Sequence, residues 1–149
     1  MNKTLKMEKG FTLLEIITII VIIGIIGAIT ASRIISTDTY GIIGELDKVK
    51  SHLRYAQGRA IRTDSNLGIS NWGIRFNSAS TYWLFQNVVT NQIRFAGQDS
   101  NQVTLSKLSI TAAPLTITFD RFGSPGAADI PVATSGGSIT VTADTGFIP

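Results

Sequence analysis

The chain has 149 residues, a formal net charge of +3 and no cysteine. This length fits one domain with a modest core, and the lack of cysteine excludes disulfides, thiolate nucleophiles and cysteine-ligated metals. The excess of positive charge lies in residues 1–10 and 31–62, whereas the residues after 62 carry four basic and five acidic side chains. The high pI therefore does not describe a basic globular domain, and it gives little support to nucleic-acid binding.

The first predicted element is an apolar helix over residues 11–32. Between Phe11 and Thr30 the only ionisable residue is Glu15. At 1.5 Å per residue this stretch spans roughly 30 Å, the thickness of the hydrocarbon core of a bilayer. Three lysines precede it and only Arg33 follows closely, which favours a cytoplasmic N-terminus and a translocated remainder.

Length and charge leave three interpretations of this segment open. A secretory signal peptide would have a shorter apolar stretch, of about 7–15 residues, and a small-residue cleavage site. A plain signal anchor would explain the length and the lysines, but it explains neither Glu15 nor the junction between Gly10 and Phe11. The third interpretation depends on the residues at that junction.

A short motif at this junction resembles that of a known family. Residues 10–15 read GFTLLE after a short basic leader, and they are similar to the processing motif of type IV prepilins and type II secretion pseudopilins. The resemblance implies removal of the leader, residues 1–10, by a prepilin peptidase that cleaves after Gly10, followed by N-methylation of Phe11. It also implies that Glu15 pairs with the new amine of a neighbouring subunit, because a paired buried charge is tolerated. Without such a partner, Glu15 would be an unpaired interfacial carboxylate.

Small residues recur every fourth position in the apolar helix. Gly24 and Ala28 form one such pair, and Gly27 and Ala31 form another. This spacing lets apolar helices approach closely, although glycine is also common in membrane helices without any packing role. Many pilins carry a proline shortly after this region. The stretch AITASRI lacks one, which favours a straighter helix.

An amphipathic helix is predicted over residues 33–64. Its apolar residues recur at helical spacing: Ile35, Ile42, Leu46, Val49, Leu53, Ala56 and Ala60. Gly41 and Gly44 predict a kink or local melting near Tyr40, because glycine costs about 1 kcal/mol within a helix.

His52, the only histidine, lies off the apolar positions and is predicted to be solvated. The basic residues are interpreted as a solvated face or as a nucleic-acid or lipid contact: Lys48, Lys50, Arg54, Arg59 and Arg62.

Residues 65–149 are predicted to form an antiparallel β-sheet of five to seven strands, because short β-branched and aromatic stretches alternate with turn residues. The predicted strands cover residues 72–77, 80–86, 91–97, 102–106, 115–120, 130–133 and 138–143. Trp83 is predicted to lie opposite Tyr82 and Phe85 and to offer an aromatic surface to a partner. The pattern contains no catalytic set and no metal-ligand spacing, so neither enzymatic activity nor a cofactor is expected.

A second, looser resemblance covers the rest of the chain. LRYAQGRAIR, WGIRF, ITFDRFGSPG and SITVTADTGFI are similar to segments of the H-type minor pseudopilins of type II secretion and of related minor pilins. The implied fold is α+β and pilin-like, with a long N-terminal helix packed on an antiparallel sheet. The implied function is that of a minor subunit, processed by prepilin peptidase, in a pseudopilus or a type IV pilus.

The resemblance also implies partners and a location. The partners are other pilin or pseudopilin subunits, the prepilin peptidase, an inner-membrane assembly platform and, before assembly, the membrane itself. The implied location is the bacterial inner membrane, with the sheet domain in the periplasm or on an extracellular filament. Two alternatives stay open, a major pilin and a DNA-binding minor pilin of natural transformation.

Overall fold

The computed structural model describes residues 11–63, 68 and 71–149, and for residues 31–37 it describes the backbone only. The fold is α+β. One helix, α1, spans Leu13–Ile61, and seven strands follow it. They are β1 (Trp72–Phe76), β2 (Thr81–Gln86), β3 (Val88–Ile93), β4 (Gln102–Thr104), β5 (Leu115–Phe119), β6 (Ile130–Thr134) and β7 (Gly137–Val141). The leader, including Gly10, lies outside the described residues.

The chain divides into two compact units, and the division falls inside α1 between Asp38 and Thr39. The first unit contains the apolar part of α1. The second, here called the head, contains the rest of α1 and all seven strands.

The strands of the head form two sheets rather than the single sheet predicted from sequence. The five-stranded sheet has the order β3-β2-β1-β5, and β4 also pairs with β2. Strand β1 occupies one edge of β2, so β3 and β4 share the other edge. Strand β4 pairs with the first half of β2, where Thr104 lies opposite Thr81, and β3 pairs with the second half, where Ile93 lies opposite Leu84. Strands β6 and β7 form the second sheet, and every pairing is antiparallel as predicted.

The core of the head lies between α1 and the sheets. On the helix it contains the predicted apolar positions Val49, Leu53, Ala56 and Ala60, with Ile42 and Leu46 packed at its margin. The sheets contribute aromatic and branched side chains from one face of each strand, among them Ile74, Phe76, Leu84, Ile117, Val132 and Ile139. The amphipathic pattern is thus confirmed for the residues whose side chains are described.

The predicted melting of α1 near Tyr40 is wrong, because the helix continues through Gly41 and Gly44. Ile42, which lies between the two glycines, packs against the core of the head, and this packing offsets the low helix propensity of glycine. A Cβ atom on Gly41 would lie 3.2 Å from Cγ of Lys107, so the absent side chain lets the loop after β4 approach the helix.

The predicted exposure of Trp83 is also wrong. Strand alternation places Trp83 with Phe85 and opposite Tyr82, and all three side chains are buried. The indole Nε1–H of Trp83 donates to the carbonyl of Val89 at 2.9 Å. Phe85 packs where Gly73 leaves space, since a Cβ atom on Gly73 would lie 2.5 Å from the Phe85 ring. These aromatic side chains therefore belong to the packing of the head.

Candidate functional site

The N-terminus of α1 contains a capping arrangement that the sequence analysis missed. The helix begins at Leu13, and the backbone N–H of Glu15 donates to both the carbonyl and Oγ1 of Thr12, at 3.0 and 3.3 Å. A threonine followed three residues later by glutamate is a capping-box pattern, and TLLE matches it. Within the described part of the chain, no hydrogen bond or ion pair engages the exposed carboxylate of Glu15.

Apart from Glu15 and two threonines, the surface of α1 from Leu13 to Thr30 is apolar, and it is exposed on every side. The helix is long and apolar enough over these residues to span a membrane, and none of this stretch is buried. Its two inner threonines, Thr18 and Thr30, donate their hydroxyls to the carbonyls of Leu14 and Ile26, both at 2.8 Å. Glu15 is the one ionisable side chain of this stretch, and an exposed apolar surface of this extent is typical of segments that contact lipid or other helices.

The small residues predicted to pack helices lie on this open surface. A Cβ atom on Gly24 or Gly27 would meet no heavy atom within 4 Å, and Ala28 is exposed. The side chain of Ala31 lies outside the described residues. Gly24 and Gly27 thus pack against none of the described residues, and their role between helices stays a prediction.

The head contains a carboxylate site that joins α1 to the loop after β4. Both oxygens of Glu45 are engaged. Oε1 accepts from the backbone N–H and the hydroxyl of Ser106 at 2.9 and 2.8 Å, and Oε2 accepts from the N–H groups of Lys107 and Leu108 at 2.9 and 2.7 Å. Burial opposes ionisation, but these hydrogen bonds outweigh it and lower the pKa of Glu45 to about 2.

The sequence predicted that His52 is solvated, and this prediction is wrong. Its ring stacks on Phe95 with centroids 3.9 Å apart, and its Nδ1 shares a hydrogen bond of 2.8 Å with the hydroxyl of buried Tyr82. Burial, assisted by the positive charge of Lys48, lowers the pKa of His52 to about 4. Burial, assisted by Glu45, raises the pKa of Tyr82. The pair is therefore a neutral polar contact in the core.

We expect the His52 contact to make the head sensitive to mild acid. The pKa of His52 is lower in the folded chain than in the unfolded chain, so its contribution is complete above pH 6.5 and is lost as pH falls towards 4. The expected loss of unfolding free energy across this window is about 2 kcal/mol, after allowance for partial solvent screening. Urea unfolding of the full chain in detergent, followed by tryptophan fluorescence, measures it. In His52→Gln, the unfolding free energy should depend less on pH between 6.5 and 4. An unchanged dependence on pH in that variant would contradict the assignment of this acid sensitivity to His52.

The five basic residues singled out in the sequence do not form one free face. Arg54 donates from Nη2 and Nε to the carbonyl of Ile148 at 3.0 and 3.3 Å, and the guanidinium of Arg59 lies 4.5 Å from the centre of the Trp72 ring. Lys48 and Lys50 are half-buried, whereas Arg62 is exposed. The structure brings only Arg54, Arg59 and Arg62 together, around Tyr55.

Comparisons with protein-family models, with curated proteins and with solved structures give no match for this chain. In the described ranges no three His, Asp or Glu side chains are grouped so that they could hold a metal ion. Function is therefore inferred from the residues and contacts of the chain itself.

Proposed function

We propose that this chain is a pilin-like subunit that is stored in a membrane and then assembles into a helical filament. The observation that carries the proposal is the division of α1 between two environments. Its apolar part, Leu13–Thr30, is exposed on all sides, while its later part supplies Val49, Leu53, Ala56 and Ala60 to the core of a β-sheet head. A helix of this kind fixes a folded domain to a segment that needs apolar surroundings.

The same apolar surface suits both lipid and a bundle of identical helices. Association between such helices in lipid depends on close packing, because lipid tails are as apolar as the side chains they replace. The open surface at Gly24 and Gly27 supports such an approach. Glu15 would then pair with the amine of Phe11 on a neighbouring subunit and fix the stagger between the helices.

The particular role proposed is that of a minor subunit in a type II secretion pseudopilus or a type IV pilus. The subunit would be held in the bacterial inner membrane with its N-terminus in the cytoplasm, and an assembly platform would extract it. The lack of a disulfide pair, and of a proline near residue 32, favours a minor over a major subunit. DNA binding receives less support, because Arg54 donates to the carbonyl of Ile148 and the five basic residues do not form one free face.

Processing is tested by mass spectrometry of the chain expressed together with a prepilin peptidase. We expect a mature N-terminus at Phe11 carrying one added methyl group. Gly10→Val should retain the leader, because a branched side chain replaces the small residue at the cleavage site. Gly27→Ala, a glycine substitution away from the junction, should be processed normally. Recovery of the parent chain with Met1 still present would contradict the proposal.

A further inference from the structure

A basic concavity lies on the head beside the C-terminal part of α1. We call it the arginine groove. It has a volume of about 550 Å³ and is lined by residues that include Tyr55, Arg59, Arg94, Gln98 and Asp99. A smaller concavity of about 60 Å³ shares Tyr55 and Arg59 with it and adds Arg54, Gly58 and Arg62. The two concavities together are lined by four arginines, of which Arg59 and Arg94 line the arginine groove itself.

The arginines of the two concavities are not paired with carboxylates within the described part of the chain. Among the described residues, no carboxylate lies within ion-pair distance of Arg59, Arg62 or Arg94, and Asp99 is the one acidic side chain in the lining. Unpaired cations gathered in a concave surface raise the local potential and attract anions.

Arg59 is held in place before any ligand arrives. Its guanidinium lies over the ring of Trp72. The indole Nε1–H of Trp72 donates to Oγ1 of Thr63 at 2.7 Å, and that hydroxyl donates to the carbonyl of Arg59 at 2.6 Å. The two contacts link the arginine, the indole and the end of α1, so less side-chain freedom is lost when Arg59 binds an anion.

We propose that the arginine groove binds a carboxylate-rich segment of a partner protein. Arginine binds carboxylates through two parallel hydrogen bonds, which suits a groove that presents two arginines, one of them held over Trp72. Nucleic acid fits less well, because Phe95 is buried against His52 and offers no face on which a base could stack.

The partner is a different protein, because the acidic residues of the described head are scattered along the chain and form no carboxylate-rich segment. Several carboxylates of the head are already engaged. Glu45 accepts four hydrogen bonds, Asp120 accepts from the N–H groups of Phe122 and Ser124, and Asp129 accepts from Ala143. The proposal does not depend on filament assembly, because the groove lies entirely within the head.

The probe for this site is a fluorescein-labelled octaglutamate peptide, titrated against the full-length chain in neutral detergent micelles by fluorescence anisotropy. We expect saturable binding at about 50 mM salt that weakens as salt is raised. The double substitution Arg59→Gln/Arg94→Gln should weaken binding by about tenfold or more. Lys50→Gln/Arg121→Gln removes the same charge outside the groove and should leave binding nearly unchanged.

A second pair of substitutions keeps the test valid if Arg59→Gln unfolds the head by removing the contact with Trp72. Arg62→Gln/Arg94→Gln removes one cation of the groove and one of the adjoining smaller concavity, neither of which has an ion pair in the described structure, and it should also weaken binding. An oligothymidylate of matched charge distinguishes the ligand classes. Tighter groove-dependent binding of the oligothymidylate would overturn the proposal. So would octaglutamate binding that is absent, or that is equal in the groove and control variants.

Discussion

Glu15→Gln is expected to leave the chain in the membrane and to remove most of its incorporation into filaments. The substitution keeps the size of the side chain but removes the charge that would pair with the amine of Phe11 on a neighbouring subunit. Breaking a buried pair leaves the other charge uncompensated. If the loss is about 2 kcal/mol per contact, association weakens roughly thirtyfold. The measurement is the ratio of subunit in the sheared filament fraction to subunit in the membrane fraction.

The choice of glutamine separates pairing from helix capping. Glutamine also serves at the third helical position of a capping box, so the cap that Thr12 provides is retained. Thr18→Val is the matched control, since it replaces a polar side chain in the same helix whose hydroxyl is already bonded to Leu14. If Glu15→Gln assembled as readily as the parent, the pairing would be rejected, while a mature N-terminus at Phe11 would still support processing.

Glu45→Gln is expected to destabilise the head strongly, by about 3 kcal/mol. The carboxylate accepts from three consecutive backbone N–H groups and one hydroxyl. An amide has one acceptor oxygen, so part of this set would be left without a partner, and hydrogen bonds to charged groups contribute about 1.5–3 kcal/mol each. Urea unfolding in detergent, followed by the fluorescence of Trp72 and Trp83, reports on the head.

The control for this substitution is Asp47→Asn, which removes the same charge from an exposed position on the same helix and should change stability little. Acid titration gives an independent test. Because the pKa of Glu45 is lower in the folded chain, its contribution is present above pH 4.5 and is lost as pH falls towards 2. This acid-sensitive component should disappear in Glu45→Gln. If Asp47→Asn destabilised the head equally, the effect would be one of net charge.

The elements of the fold could be predicted where a local pattern is enough. The apolar stretch after Phe11, the helical spacing from Ile42 to Ala60 and the two-residue alternation after residue 71 each indicate which side chains avoid water. The third strand was misplaced. It runs over Val88–Ile93 rather than 91–97, because Asn87 adopts a positive φ of 61° and allows a tight return after β2. Asparagine favours turns, so the sequence shows that a turn is possible at Asn87. Whether the chain turns there depends on the pairing of β2 with β3.

His52 shows how a local pattern can mislead. The residue lies three positions after Val49 and four before Ala56, so it borders the apolar side of the helix even though it is not one of the apolar positions. A helix packed on a sheet buries an arc of its surface wider than one line of residues. Tyr82 and Phe95, which receive the histidine, lie 30 and 43 positions further along the chain.

The sequence by itself determined the apolar helix, its lone carboxylate at Glu15 and the α+β class, because these follow from composition and from periods of a few residues. Only the tertiary structure decided what the polar side chains of the head contact. Glu45 meets the loop at Ser106, Arg54 meets the carbonyl of Ile148 and Arg59 meets Trp72. The physical reason is that a pattern of apolar residues records which positions leave water, whereas a hydrogen bond or ring contact also requires a partner that chain folding brings from a distant position.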